Sequence, residues 1–268
     1  MTQQVKIAVR SLTKKFKLPT GGDLTVLDGL SFDAEDGAFV SFLGPSGCGK
    51  STLLNILGGL DRPTSGSITV DGKDLLERRS SIRIGFVFQQ PRLLNWRTVK
   101  QNVLLPLEEM GLPGREREAR ALRYLELVGL TPFIDYYPLQ ISGGMQQRVA
   151  VARALVIEPD LLLADEPFSA LDELTARKLR QEFLRIWQAT GRTIVFVTHS
   201  IREAVFLSTR LVLVRPRPAR IHLNLPIEAP YPRGYEDDRL FQIEKEVTRD
   251  FMRMEEESEG RAAVEAVA

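Results

Sequence analysis

Gly44-Pro45-Ser46-Gly47-Cys48-Gly49-Lys50-Ser51, followed by Thr52, is a set of residue types whose spacing describes a cradle for a polyphosphate. Glycine at 44, 47 and 49 lets backbone N–H groups close on phosphate oxygens with no Cβ in the way. Lys50 supplies a cation for the β- and γ-phosphates, and the Ser51 hydroxyl is a ligand for Mg2+. A helix starting near Lys50 adds the positive end of its dipole. Cys48 reads as a small loop filler, although its place in the loop also predicts that alkylating the thiol inhibits. The chemistry expected here is binding of a nucleoside triphosphate.

Such a loop works only between a strand and a helix. Residues 38–43 (Ala-Phe-Val-Ser-Phe-Leu) read as a buried strand, and 52–57 (Thr-Leu-Leu-Asn-Ile-Leu) as the helix that follows. A second strand, 161–164, is continuously apolar, as a central parallel strand covered on both faces must be, and it ends in Asp165 and Glu166. An Asp at such a tip can share Mg2+ with the loop serine. Glu166 is then placed to polarise an attacking water as general base; the alternative is a solvated acidic pair. About twenty residues earlier, Ser142-Gly143-Gly144 at a helix start forms a second anion-binding nest. Taken alone, this triplet means no more than a helix cap. Gln89 closes the apolar stretch 84–88, and His199 follows the strand expected at 193–198.

Around these residues the pattern is α/β. The first eighty residues are mostly short strands with turn signals, such as the alternation at 5–9 and the run 68–70 before Asp71-Gly72. From about 98 to 130 the texture is helical, with Ala119, Leu122, Leu125 and Val128 expected on one apolar face. Helices are also expected at 142–156 and 174–189, and a short last strand at 211–214. The Pro-rich stretch 216–232 reads as a linker. Beyond it Ile243, Val247, Phe251 and Met254 recur at helical spacing, and the Glu/Ala-rich end is expected to fray.

The 268 residues suffice for one large core with a smaller lobe; 26% are charged and 43% hydrophobic, as in ordinary globular chains. A net charge of +1 gives no bulk attraction to nucleic acid or anionic lipid, and nucleic acid is not an expected partner. A single cysteine allows no intrachain disulfide. No apolar run approaches the ~20 residues of a membrane span, and the polar, basic first ten residues hold no signal-peptide core. Any link to a membrane is therefore expected to run through a partner.

Together the phosphate loop and the Ser-Gly-Gly nest carry a family resemblance. Over roughly residues 5–225 the chain resembles the nucleotide-binding subunits of ATP-binding cassette (ABC) transporters. Residues 44–52 resemble the Walker A segment and 161–166 Walker B. Residues 141–146 resemble the signature motif, with Ile141 for the usual leucine and Met145 for the usual glutamine. Gln89 resembles the Q-loop glutamine, Ser169-Ala170-Leu171-Asp172 the D-loop, and His199 the switch histidine at the γ-phosphate. Phe16 resembles the aromatic that stacks on adenine, where tyrosine is more usual; a core phenylalanine is the alternative.

The resemblance implies a phosphate-loop NTPase core, a mostly parallel sheet flanked by helices. It adds an N-terminal antiparallel β subdomain and a helical subdomain inserted at about 90–158, with 226–268 as a C-terminal extension. It also implies ATP and Mg2+, and a homodimer in which each site joins one chain's loop to the other's Ser142-Gly143-Gly144. The partners implied are a membrane permease and, indirectly, a solute-binding protein, at the cytoplasmic face of the cell membrane. Leu93, Leu94 and Trp96 either line the groove that receives the permease or belong to the lobe's core. Residues 88–99 resemble the nitrate/sulfonate/taurine importer group, with Asn95 in a proline's place. An ABC lipid-trafficking ATPase and a soluble, non-transport ABC ATPase are the alternatives. For the C-terminal helix the choice is between docking on its own core and a regulatory or dimer contact.

Overall fold

Thirteen residues of alternating pattern, Val5–Lys17, form strand β1, with Ile7, Val9 and Leu12 fully buried. This pattern suits a sheet with one face on a core. The computed structural model describes residues 4–19, 21–77, 82–216 and 218–265, with side chains as far as 258. Two compact units divide the chain, one made of residues 1–79 with 195–268 and the other of residues 80–194.

In the first unit β1 lies between β2 (Asp23–Glu35) and β4 (Ser65–Val70), antiparallel to both, and β5 (Lys73–Asp74) extends the sheet. This is the antiparallel β region expected of the first eighty residues. The same unit holds β3 (Phe39–Leu43), buried at every position, and parallel to it β9 (Arg210–Arg215). Helix α1 (Lys50–Leu57) follows β3 after the glycine-rich loop. Helix α6 (Ile201–Leu207) packs on β3, and α7 (Asp238–Glu265) packs on α6 and β9.

The Pro-rich stretch 216–232 is not simply a linker. Within it β10 (Arg220–Pro226) pairs antiparallel with β9, from Arg220 opposite Arg215 to Pro226 opposite Arg210. Its side chains are alternately half-buried and exposed, so no continuous apolar run announces it, and Pro226, which has no N–H to give to the ladder, is its last residue. The helix of the C-terminal extension docks on its own unit: Leu240, Val247 and Met254 are buried, and Ile243 and Phe251 half-buried. Rather than fraying early, it runs to Glu265; residues 266–268 lie outside those described.

The second unit contains β6 (Ile84–Val87), parallel to β7 (Leu161–Asp165), with Ile84 opposite Leu161 and Val87 opposite Ala164. Helices α2 (Val99–Leu104), α3 (Gly114–Leu127) and α4 (Gly143–Leu155) pack on one another, and α4 also covers β6. Helix α5 (Glu173–Thr190) leads through Gly191 into β8 (Thr193–Thr198), along which the chain passes back to the first unit. The apolar face of α3 differs from the one expected. Ala121, Tyr124, Leu125 and Val128 are buried, while Ala119 and Leu122 are exposed. That stripe has the i, i+3, i+4, i+7 spacing of a helix face, whereas steps of three drift off it, and Tyr124 hides its body in the core behind a polar tip. Among the described residues no helix is long and apolar enough to cross a membrane.

Candidate functional site

In the first unit the loop from Gly44 to Ser51 is shaped from inside. A Cβ on Gly44 would sit 2.6 Å from the Val214 carbonyl oxygen and 3.0 Å from Cys48 Sγ, so the start of the loop is pressed onto β9. Gly49, the N-cap of α1, has φ 104°, in the region that L side chains avoid. Lys50 spans the loop: its Nζ donates to the carbonyl oxygens of Gly44 (2.7 Å) and Pro45 (2.9 Å) and lies 3.9 Å from Cys48 Sγ. Although charged, it is only 5% exposed, since its stem is packed and its head is hydrogen-bonded. Ser46, Gly47 and Ser51 lie on the solvent side, and Pro45, Gly49 and Thr52 are half-buried.

Cys48 is 2% exposed, and burial pushes its thiol pKa up while Lys50 opposes the shift. Burial therefore counts against the expected sensitivity to alkylation, because it limits access and disfavours the thiolate. N-ethylmaleimide should label the full-length chain at pH 7 at least about tenfold more slowly than a free thiol of ordinary pKa, and faster as pH rises. Mass spectrometry of timed samples measures this, and labelling at the free-thiol rate would contradict it.

Phe16, at the end of β1, is 41% exposed and not part of the core. The Lys14 ammonium lies 4.7 Å from its ring centroid and is itself held by Asp61 at 2.6 Å. His199, exposed, follows β8. Its neighbours are tied down: Thr198 Oγ1 donates to Glu203 Oε2 at 2.6 Å, and the Ser200 N–H donates to Thr198 Oγ1 at 3.0 Å. Ser200 caps α6 by accepting from the Glu203 N–H.

In the second unit Asp165 ends β7, and both it and Glu166 are half-buried. Glu166 has φ 43°, in the left-handed region that non-glycine residues seldom adopt. Ser169 gathers the neighbouring residues: its Oγ donates to the Glu166 carbonyl (2.9 Å) and accepts from Gln89 Nε2 (3.0 Å). Gln89 and the Glu166 backbone are thus joined through one hydroxyl.

Two residues that sequence reasoning missed hold the Gln89 segment. Gln147 Nε2 donates to the Phe88 carbonyl (3.2 Å), and Arg153 donates to the carbonyls of Pro91 (2.7 Å) and Arg92 (2.9 Å). The one signal for Gln147 is its place between Gly144 and Val151 on the buried face of α4, where an apolar residue is expected. Ser142 caps α4 by accepting from the Met145 N–H, and with Gly143 it is exposed. Gly144 is buried, and a Cβ there would lie 2.9 Å from Thr175 Cγ2 on α5.

A strand–loop–helix with a buried lysine at its centre and a strand ending in two carboxylates are the parts of an NTP hydrolase. The sequence profile of the ABC transporter family matches residues 27–169. The chain belongs to the ABC transporter family. Over 245 residues, 91% of this chain and 95% of the other, it is 40% identical to an aliphatic sulfonates import ATP-binding protein of Bacillus cereus. It is 38% identical over 267 residues to a taurine import ATP-binding protein of Jannaschia sp., covering 97% of this chain and 99% of the other. A solved dimeric ATP-binding cassette in a post-hydrolysis state, bound to ADP and Pi, superposes with a TM-score of 0.72 at 36% identity, over 84% of this chain and 100% of that one. The ABC cassette described here is thus an ATPase of phosphate-loop α/β fold. The matched segment takes in the Gly44–Thr52 loop, Gln89, Ser142 to Gly144 and the Asp165–Glu166 pair, while Phe16 and His199 lie outside it.

Proposed function

We propose that this cassette powers uptake of a small solute (nitrate, sulfonate, taurine or similar) through a separate membrane permease, docked as a homodimer on the permease's cytoplasmic side. The observation that carries the ATP-dependent part of the reading is the buried Lys50 ammonium held at the centre of the Gly44–Ser51 loop. Likeness along nearly the whole chain to sulfonate and taurine import subunits supports the solute class.

In this reading Lys50 and the loop from Gly44 through Thr52, including Pro45, Ser46, Gly47, Cys48 and Gly49, bind the phosphates, and Phe16 stacks on adenine. Glu166 takes a proton from water as its oxygen attacks the γ-phosphorus; the bond to the ADP oxygen breaks, leaving ADP and phosphate. His199 contacts the γ-phosphate. Ser142, Gly143 and Gly144 face the nucleotide of the partner cassette, so loss of the γ-phosphate removes the contact holding two cassettes together. Among the described residues no group of three or more His, Cys, Asp or Glu side chains could hold a metal ion. Ser51, Asp165 and Gln89 each offer a hard oxygen of the kind Mg2+ takes, and Mg2+ binds through few protein ligands and completes its shell with phosphate and water. When bound, Mg2+ neutralises charge on the β- and γ-phosphates.

Trp96 is 74% exposed, whereas Leu93 and Leu94 are half-buried. Trp96 is thus not part of the lobe's core, and a large exposed aromatic there supports the reading of a permease contact. Tagged protein recovered from native membranes should bring with it a multi-span permease whose operon encodes a solute-binding protein for an oxyanion or sulfonate. Recovery of lipid-domain proteins, or of no membrane protein, would leave the ATPase and overturn the importer.

A further inference from the structure

Helix α6 starts two residues after His199 and ends at Leu207. Its last carbonyls, which have no partner within a helix, are taken by side chains of the C-terminal extension. Arg233 is 5% exposed. Its Nη1 donates to the carbonyls of Val205 (2.9 Å), Phe206 (3.1 Å) and Ser208 (2.8 Å). The other guanidinium nitrogens fasten Arg233 to its own segment, donating to the carbonyls of Ile227 and Ala229. Tyr231 Oη donates to the remaining carbonyl, that of Leu207, at 2.8 Å. Tyr235 stacks on Phe206 with centroids 4.2 Å apart, and α7 packs along α6. A cation at a helix C-terminus is favoured by the dipole, and burial makes its hydrogen bonds hard to give up.

The other end of α6 is equally constrained. Glu203 holds Thr198 through a buried 2.6 Å hydrogen bond, and Ser200 holds Glu203. His199 sits between these two fixed residues, so a shift or rotation of α6 carries the imidazole with it. On its inner side α6 packs on β3, with Ser208 Oγ donating to Ser41 Oγ at 2.6 Å, and β3 leads into the Gly44–Ser51 loop.

We propose that residues 227–235 are a clamp that sets the position of the His199 side chain through α6, with Arg233 as its positioning residue. The proposal rests on the reading of His199 as the γ-phosphate contact. It assigns the start of the C-terminal extension to the ATPase cycle, although this segment lies outside the matched residues 27–169.

The chain holds two histidines, and His222 is exposed on β10, so imidazole NMR of the full-length protein reports His199 against an internal reference. In Arg233→Lys, three rotatable donors replace the planar five-donor fork. It should lower kcat about tenfold while the KM for ATP stays within about twofold, because a small displacement of a catalytic group costs rate rather than ground-state binding. The His199 resonances should shift or broaden, and those of His222 stay in place. Tyr231→Phe removes one hydroxyl, keeps the ring, and should show the same pattern at smaller size; it carries the test if Arg233→Lys does not fold. Added to His199→Ala, Tyr231→Phe should cost nothing further. Multiplying losses in that double variant, or a lowered Tm with His199 resonances and kcat unmoved, would reduce the clamp to a structural strap. If His199→Ala alone keeps wild-type turnover, the reading of His199 fails, while the resonance shift still reports the clamp.

Discussion

Glu166→Gln should abolish ATP turnover, lowering kcat by about 10²–10⁴, the range for loss of a general base, while leaving ATP binding intact. Glutamine matches glutamate in shape and takes over its place at the end of β7. The hydrogen bond from Ser169 Oγ goes to the Glu166 backbone carbonyl rather than to its side chain, so it survives the substitution. What is lost is the carboxylate proposed to accept a proton from water. Because the substitution blocks the step that removes the γ-phosphate, ATP should hold two cassettes together, and gel filtration with ATP should show a lasting dimer. Turnover within a few-fold of wild type would remove Glu166 from the role of base. Loss of turnover together with loss of ATP binding would instead mean that the φ 43° turn had been disturbed.

The parts of this site legible in the sequence are those in which backbone conformation dictates residue type. Gly44 and Gly49 are where they are because a Cβ at 44 would strike a carbonyl and 49 needs a positive φ. Such demands leave a spaced pattern that can be read before any fold is known. The buried strands β3, β7 and β8 are legible for a similar reason, since strands covered on both faces must be apolar throughout. By contrast, β10 shows no such run, because it pairs at a sheet edge with half its side chains in water. The face of α3 was mistaken because Tyr124, with a polar tip, is nevertheless a core residue. Gln147, Arg153 and Arg233 escaped sequence reading altogether: each donates to backbone carbonyls, and any residue type offers a carbonyl, so no partner pattern marks them. Ser169 stood out only through the family resemblance, while its bonds to Gln89 and Glu166 are tertiary facts.

Lys50→Met should have the opposite signature, removing nucleotide binding itself. Methionine reproduces most of the packed aliphatic stem, so the change isolates the ammonium group. That group makes two hydrogen bonds across the loop, to Gly44 and Pro45, and bonds from a charged donor are worth about 1.5–3 kcal/mol each. Losing them frees the loop to open, and losing the charge removes the cation proposed for the β- and γ-phosphates. A weakening of ATP affinity by about 10²–10³ follows from one to two such contacts. Thermal unfolding with and without ATP separates the variants in one experiment. Ligand at about 100 times its Kd stabilises a fold by about 2.7 kcal/mol, so wild type and Glu166→Gln should gain Tm on adding ATP, while Lys50→Met gains nothing. Lys50→Arg should not rescue it, because a planar fork replaces a compact ammonium packed at 5% exposure. An ATP-dependent rise in Tm for Lys50→Met equal to that of wild type would place the phosphate contact elsewhere in the loop and leave Lys50 only its structural bonds to Gly44 and Pro45.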